Sequence, residues 1–247
     1  MMNKDVFIKT LKEEALKINI MLDNEQLIKF YEYKELLLEW NDKMNLTAIT
    51  EDYDIIIKHF IDCLQCTKYI KTDKNNINKI IDVGTGAGFP GIIIAIYFDD
   101  LINITLLDSL NKRLIFLEEV KNKLQLNNIY IVHKRAEEGA HEIKYRENFD
   151  YVVSRAVSYL NVLLECTVAY LKVGGECIFL KGDNVNEEIK ESKNALNILK
   201  CKKIDVYKYL LNLNNEEFKR NILIIKKYSK TDEKYPRSYG KIKKLPL

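Results

Sequence analysis

The spacing of apolar residues changes near residue 78, and this change divides the chain into two regions. In the first region, apolar residues recur at intervals of three, four and seven positions, at Leu27, Phe30, Tyr31, Leu37 and Leu38. Such intervals place side chains on one face of a helix, so the spacing predicts amphipathic helices. The pattern breaks over residues 41–50 and resumes over 51–70. We therefore expect residues 1–70 to form a helical N-terminal extension.

From residue 78 onward, apolar runs typical of strands alternate with helical patterns. The strand-like runs are Lys79–Val83, Ile104–Leu107, Ile129–Val132, Tyr151–Val153, Cys177–Leu180, residues 204–210 and Asn221–Lys226. Helical spacing is clearest at Leu114, Leu117, Val120 and Leu124, and a further helix-like stretch covers residues 186–200. This alternation is typical of right-handed βαβ units around a mostly parallel sheet. The pattern predicts an α/β domain over residues 71–225, packed against the helical part without a free hinge.

The charge distribution is more informative than the net charge of +3 for the 247 residues. Residues 226–247 carry eight Lys or Arg and two acids, a charge of +6, so residues 1–225 sum to −3. A basic C-terminal tail suggests a polyanionic partner. The alternative is a frayed, solubilising terminus.

The cysteines and the apolar stretches indicate the compartment. Five cysteines, an odd number, favour a reducing environment. Cys63 and Cys66 form one C-x-x-C without a second pair, so we interpret them as packing residues and expect no metal site. The longest apolar stretch ends at Asp99-Asp100 and is too short to span a bilayer. We expect a soluble, cytoplasmic protein without a membrane segment.

The most informative motif is a glycine-rich loop that follows the strand-like run Lys79–Val83. Gly84, Gly86 and Gly88 occupy every second position, which lets the backbone approach a ligand closely. The loop is not the dinucleotide fingerprint, because Phe89 stands where that motif has its last glycine. Asp82, close before the loop, would repel a pyrophosphate but accept an ammonium and a sulfonium. The loop therefore favours S-adenosylmethionine over NAD.

Polar residues follow the other strands, where a doubly wound sheet binds its ligands. Asp108 would accept the ribose hydroxyls of an adenosine or, alternatively, cap the next helix. Ala136 and Glu137 would border an adenine ring or, alternatively, belong to a surface turn. Arg155 would face the ligand crevice and bind a carboxylate, a phosphate or a guanine. Lys181 is interpreted as a solvated lysine at the same edge.

Missing motifs restrict the methyl acceptor. The three prolines exclude an Asp/Asn-Pro-Pro-aromatic motif and a Pro-Cys nucleophile. His59 and Asp62 share a helix face, but they are interpreted as a structural hydrogen bond. An acceptor that needs neither a base nor a nucleophile fits these absences. Guanine N7 is such an acceptor, because its lone pair is free and catalysis reduces to alignment and desolvation.

Eleven segments together resemble the RsmG (GidB) family, the bacterial 16S rRNA guanine-N7 methyltransferases. They are Trp40-Asn41, Asn45–Thr47, His59–Asp62, Asp82–Gly91, Leu106–Arg113, Phe116-Leu117, Arg135–Glu137, Ser154–Val157, Leu180–Gly182, Tyr235–Arg237 and Pro246-Leu247. The resemblance implies a class I methyltransferase with a Rossmann-like, mostly parallel, seven-stranded sheet and a small helical N-terminal extension. It implies S-adenosylmethionine as cofactor and guanosine 527 of 16S rRNA as substrate, free or within the small subunit or an assembly intermediate. We expect a monomer.

The resemblance also assigns cofactor-binding residues. By position they are Gly84, Phe89, Ala136, Glu137 and Arg155, and Asp108 matches the ribose acid of the wider class. With Gly86 and Gly88 of the loop, the complete set expected here is Gly84, Gly86, Gly88, Phe89, Asp108, Ala136, Glu137 and Arg155. The chain departs from the family at Lys58, Cys63 and Ile93, and its tail lacks a proline between Gly240 and Lys243. The last departure leaves the conformation of the tail, residues 226–247, open.

Three other functions remain compatible with the residues. The first is a methyltransferase acting on a small molecule or a protein, for which a basic tail is less expected. The second is a dinucleotide oxidoreductase, against which Asp82 and Phe89 argue. The third is an rRNA-binding assembly factor that keeps the cofactor but no longer transfers methyl.

Overall fold

The computed structural model describes residues 2–73, 75–155 and 158–247, so Ala156 and Val157 of the Ser154–Val157 segment lie outside it. The N-terminal part is helical. It comprises α1 (Lys4–Lys17), α2 (Asn24–Met44), α3 (Asp52–Ile55), a π-helical segment (Ile56–Ile61) and α4 (Asp62–Thr67). A capping box between Asp23 and Gln26 starts α2, and Asn45 ends it with a left-handed φ of 50°. The expected break at residue 41 is wrong by four residues, because the polar last turn of α2 continues the helix without an apolar face.

The described residues form one seven-stranded sheet. Its strands are β1 (Asn78–Val83), β2 (Ile102–Asp108), β3 (Ile129–His133), β4 (Phe149–Arg155), β5 (Leu171–Lys181), β6 (Cys201–Leu213) and β7 (Glu216–Lys227). The spatial order is β3-β2-β1-β4-β5-β7-β6. β7 is antiparallel to both neighbours, and the remaining pairs are parallel. The predicted α/β class with a mostly parallel sheet is confirmed.

Helices cover both faces of the sheet. They are α5 (Gly91–Phe98), α6 (Asn111–Lys123), α7 (Ala136–Gly139), α8 (Leu160–Thr167), α9 (Val185–Glu191), α10 (Lys193–Ile198) and α11 (Tyr239–Lys244). α5 is apolar all round because it lies between the sheet and the N-terminal helices. Phe30 of α2, Phe60 of the π-helical segment and Ile92 of α5 belong to one buried cluster. This shared core is the packing without a hinge that the sequence predicts.

The strand order reverses between β1 and its neighbours β2 and β4. In an open α/β sheet, the crevice beyond the carboxyl ends of the strands at such a point receives the ligand. The β1–α5 loop lies there. No helix within the described ranges is both long and apolar enough to cross a membrane.

The C-terminal residues pack against the domain, so the alternative of a frayed terminus is wrong. The ammonium of Lys227 is fully buried and lies 2.8 Å from Glu147. Arg146 donates hydrogen bonds to the carbonyl oxygens of Thr231 and Tyr235, both at 2.9 Å. Ile242 of α11 is fully buried. The division of the chain at residues 70 and 225 stays a prediction.

Candidate functional site

A cavity of about 600 Å³ lies at the carboxyl ends of β1, β2 and β4. This volume is in the usual range for a small-molecule or cofactor site. Six of the eight residues expected at the cofactor line it: Gly84, Gly86, Phe89, Asp108, Ala136 and Arg155. Gly88 and Glu137 are not among its lining residues.

The loop glycines have different physical roles. Gly86 has a φ of +61°, and a Cβ built there would meet nothing within 4 Å, so the backbone leaves room for a ligand. Gly88 has a φ of +100°, and its Cβ would collide with Ile92 Cγ1 and lie 3.0 Å from Leu117 Cδ2. Gly88 therefore allows the loop to pack on α5 and α6.

Asp108 does not cap α6, whose N-cap is Leu110 without a side-chain hydrogen bond, so the helix-cap alternative is wrong. Its carboxylate accepts hydrogen bonds from the backbone N–H of Gly86 and of Leu110, both at 2.9 Å, and Arg113 Nη1 lies 3.3 Å away. It therefore ties the glycine loop to the start of α6. An ionised carboxylate has about four acceptor positions, so capacity remains for a ligand hydroxyl in the cavity that Asp108 lines.

The expectation that the Asp82 carboxylate faces the ligand is wrong, because Asp82 does not line the cavity. Its side chain is fully buried, and its Oδ2 accepts hydrogen bonds from Thr85 Oγ1 at 2.7 Å and Gly91 N at 2.9 Å. Its Oδ1 has no partner among the described residues. Burial, opposed by these two hydrogen bonds, raises the pKa of Asp82 to about 7. Asp82 therefore stabilises the loop through buried hydrogen bonds to Thr85 and Gly91.

Replacement of Asp82 by asparagine is expected to stabilise the protein at pH 8. The folded-state pKa near 7 exceeds the ordinary value of 3.8. Between these values the folded protein keeps a proton that the unfolded chain has lost, so stability falls as pH rises toward 7. Asparagine carries no charge and can still accept from Thr85 and Gly91, while its amide nitrogen, buried without a partner in the place of Oδ1, offsets part of the gain. We expect a gain of about 1–3 kcal/mol at pH 8.

Urea unfolding at pH 5 and pH 8 measures this effect. The variant should gain less at pH 5, where Asp82 is protonated in the native protein. Asp150→Asn, at an ordinary salt bridge with Lys172, is the control. An equal or smaller gain at pH 8 than at pH 5 would contradict the assigned pKa.

Arg155 is held in a dense cluster. Its Nη1 donates to Lys58 O at 2.8 Å and lies 3.2 Å from Asp62 Oδ2. Its Nη2 lies 3.0 Å from His59 Nδ1, and its guanidinium lies 4.8 Å from the centre of the Phe89 ring. His59 and Asp62 thus both bind Arg155, where the sequence predicts a bond between them. The cluster fastens β4 to the π-helical segment and α4.

His59 is neutral at physiological pH. Burial and the neighbouring charge of Arg155 lower its pKa to about 3. Its Nε2 lies 2.9 Å from Thr47 Oγ1, and its ring stacks on Phe89 at 4.4 Å. In the tautomer that fits Arg155, Nδ1 accepts from the guanidinium and Nε2 donates to Thr47. His59 orients the cluster and does not supply charge.

A second, more open cavity of about 670 Å³ adjoins the first and shares His59, Arg155 and Ser158 with it. Lys58, Lys181 and Arg220 contribute positive charge to its lining. The interpretation of Lys181 as solvated is wrong: only 9% of it is exposed, and its Nζ lies 2.7 Å from Glu188. Burial of this lysine depends on α9, which the local sequence does not reveal.

Arg220 is a lining residue that the sequence reasoning missed. It precedes the strand-like run Asn221–Lys226, and β7 runs antiparallel to β5. The start of β7 therefore lies at the same edge as the carboxyl ends of the parallel strands. A basic residue directly before the strand-like run Asn221–Lys226 was the available signal. Tyr239, which lines the first cavity, had no comparable signal.

Each carboxylate in the second cavity already has cationic partners. Asp62 lies near Arg155 and Arg220 and accepts from Tyr209 Oη at 2.7 Å. Glu188 pairs with Lys181 and accepts from Leu160 N. Among the described residues, no cluster of His, Cys, Asp or Glu has the arrangement of a metal site. The cavity therefore offers positive charge without an available carboxylate base.

Comparisons with known proteins agree with this architecture. Residues 26–220 match the family profile described as GidB, rRNA small subunit methyltransferase G. Two similar relatives are both called ribosomal RNA small subunit methyltransferase G. The Clostridium beijerinckii protein is 48% identical over 98% of this chain and 99% of its own length. The Acetivibrio thermocellus protein is 50% identical over 97% of this chain and 96% of its own length.

Solved structures support the fold. An S-adenosylmethionine-dependent O-methyltransferase from Thermotoga maritima aligns with a TM-score of 0.52 at 15% identity, covering 79% of this chain and 72% of that one. M. jannaschii TYW2 in complex with AdoMet aligns with a TM-score of 0.50 at 15% identity, covering 66% and 74%. At these identities the likeness concerns the fold alone, and it confirms the class I methyltransferase architecture. By the profile match and the near-complete relatives, the chain belongs to the rRNA small subunit methyltransferase G family.

Proposed function

We propose that this protein transfers a methyl group from S-adenosylmethionine to N7 of a guanosine in 16S rRNA, at position 527 as the family resemblance implies. The observation that carries the proposal is the pair of adjoining cavities. One has a glycine loop and a carboxylate suited to an adenosine, and the other has a basic lining suited to RNA. They meet at Arg155.

The residues of the first cavity fit the cofactor. Gly86 leaves open space where any side chain would intrude. Asp108 keeps acceptor capacity for ribose hydroxyls beside the loop, and Ala136 is small enough to border a flat base. When bound, the cofactor supplies an electrophilic methyl group. Gly84, Gly86, Asp108 and Ala136 would hold the adenosine, with Arg155 and Phe89 at the end shared with the second cavity.

Transfer to N7 suits this site, because the reaction needs no base and the ionisable groups of the site are already bound to other side chains. N7 of guanine has a free lone pair, so no proton leaves before attack. Glu188 and Asp62 are paired with cations, and His59 is bound to Arg155. Arg220 presents donors at a cavity where guanine would expose O6 and N7 as acceptors. The protein's contribution is then orientation and exclusion of water.

The proposal extends to the partner and the compartment. The substrate is rRNA within the small subunit or an assembly intermediate, and the protein acts as a monomer in the cytoplasm. The family membership and the basic second cavity support an rRNA partner. A small-molecule acceptor would not need a cavity lined by four basic side chains, Lys58, Arg155, Lys181 and Arg220.

Incubation with methyl-labelled S-adenosylmethionine tests the function. Free 16S rRNA, assembly intermediates and small subunits serve as acceptors, and the labelled nucleoside is identified after digestion. Label in 7-methylguanosine at one position is expected. Cofactor binding without label in any of these acceptors would favour the assembly factor, and label at another atom would refute N7 transfer.

The exposed lysines of α11 are expected to contact RNA phosphates. Lys241, Lys243 and Lys244 are exposed, and none joins an ion pair within the described residues. Changing all three to glutamine should flatten the log–log salt dependence of RNA binding by roughly 2–3, given about 0.7–0.9 per phosphate contact. Cofactor affinity should not change. Substitutions are preferable to deletion of residues 226–247, which would remove the buried Lys227 and Ile242.

Filter binding from about 50 to 200 mM salt measures this slope. The control variant changes Lys4, Lys9 and Lys12, on the exposed side of α1, to glutamine. It has the same change in net charge as the α11 variant. An unchanged slope in the α11 variant, or an equal change in the α1 variant, would show that α11 makes no specific phosphate contacts.

A further inference from the structure

The C-terminal segment reaches the first cavity as well as the surface. Tyr239, the first residue of α11, lines that cavity together with the glycine loop and Ala136. The exposed fraction of Tyr239 is 41%. The aromatic residue therefore lies at the mouth of the cavity, partly covered by the domain and partly open to solvent.

Buried ionic contacts fix the position of this tyrosine. Arg237 forms a two-pronged pair with Glu165 of α8, with both N–O distances at 2.7 Å, and Glu165 is fully buried. A third hydrogen bond from the Arg237 side chain, from Nη2 to Leu245 O at 3.0 Å, connects the residues before and after α11. Ile242 is buried beneath the helix. A fork between planar groups holds orientation as well as distance, so α11 has a defined placement on α8.

The neighbours of Tyr239 belong to one end of the cavity. α11 packs on α8, which lines the cavity through Val162, Leu163 and Cys166. Ala136 is fixed beside α8 by a hydrogen bond from Tyr170 Oη to its carbonyl oxygen at 2.7 Å. Arg155 and Phe89, by contrast, lie at the end shared with the second cavity. Tyr239 thus faces the end where the adenosine would lie.

We infer that Tyr239 is a cofactor-binding residue and that α11 forms a wall of the cofactor site. The ring covers the adenine through aromatic contact, which is favourable for any base because every base has a π-face. This inference rests on the proposed cofactor cavity. The C-terminal segment then has two roles. Tyr239 binds the cofactor, and the exposed lysines of the same short helix contact RNA.

Calorimetric titration with S-adenosylmethionine tests the inference. Tyr239→Ala should weaken binding about fivefold to a hundredfold, the range for loss of one aromatic–base contact. Tyr239→Phe keeps the ring and should stay within about twofold of the native protein. Tyr130→Ala, at an exposed tyrosine on β3 that lines neither cavity, is the matched control and should not change affinity.

Adenosine alone serves as a second probe. If the ring covers the adenine, Tyr239→Ala should weaken adenosine by the same factor as the whole cofactor. Native affinity for both ligands in a folded Tyr239→Ala protein would overturn the inference and leave the proposed function intact. Failure of the native protein to bind S-adenosylmethionine would overturn both.

Discussion

Replacement of Gly86 by leucine is expected to abolish cofactor binding while the protein stays folded. Gly86 lines the cavity and a Cβ built there meets nothing within 4 Å, so we expect the longer side chain to occupy volume that a ligand needs. The backbone φ of +61° is unfavourable for leucine. That strain costs about 1–3 kcal/mol, less than the usual 5–15 kcal/mol of total stability.

Gly88→Leu is the matched control, since it lies two residues away with a positive φ of its own. Its side chain would enter the packing of Ile92, Leu117 and Tyr33. Overpacking of this kind destabilises a core, so this variant should lose thermal stability more than Gly86→Leu does. Calorimetric titration and thermal unfolding of both variants separate the two effects. Undiminished affinity in a folded Gly86→Leu protein would remove the loop from the site.

The glycine loop and the positions of the strands follow from signals that are local in sequence. Every second residue from Gly84 to Gly88 has a positive φ, and only glycine adopts such a conformation readily. The strands were predicted at their apolar centres and are longer in the structure. β6, for example, covers Cys201–Leu213 where the pattern indicated residues 204–210. The polar ends of β6 belong to the strand because they pair with β7.

The orientation of Asp82 was misjudged although the signal was present. Side chains alternate across a strand. Ile81 and Val83 belong to one buried cluster and Ile80 to the other. Asp82 must share the face of Ile80, beneath α5, and cannot also point along the strand toward a ligand. The apolar run predicts the strand, and period-two alternation along it orients Asp82 away from the ligand.

Other site features depend on contacts that the sequence does not encode locally. Arg155 binds residues of the π-helical segment and α4 that are 93 to 97 positions earlier in the chain. Tyr239 reaches the cavity because Arg237 pairs with Glu165, 72 positions away. The residue types were visible, but their partners are determined by how α4, α8 and the C-terminal segment pack on the sheet. Sequence patterns therefore identified Arg155 as a site residue without identifying what holds it.

Arg155→Lys is expected to reduce the rate of methyl transfer by about a hundredfold, the size of effect that follows from a small misplacement of reacting groups. A lysine keeps the positive charge near Asp62. It cannot reproduce the planar fork that reaches both Lys58 O and His59 Nδ1 while stacking on Phe89. The boundary between the two cavities would lose its fixed geometry. Single-turnover measurements with saturating cofactor and RNA isolate this step from binding.

The pH dependence of the same single-turnover rate distinguishes positioning by Arg155 from acid–base catalysis. His59, with its pKa lowered to about 3, stays neutral, and the Arg155 guanidinium stays charged. Above about pH 8, Asp82 is ionised as well, since its pKa is about 7. The native rate should therefore be flat from about pH 8 to 9, and Arg155→Lys should lower it throughout without introducing a base. A rate that rises or passes through a maximum in this window would mean that a residue must ionise for transfer, and N7 would no longer be the acceptor that best fits the site.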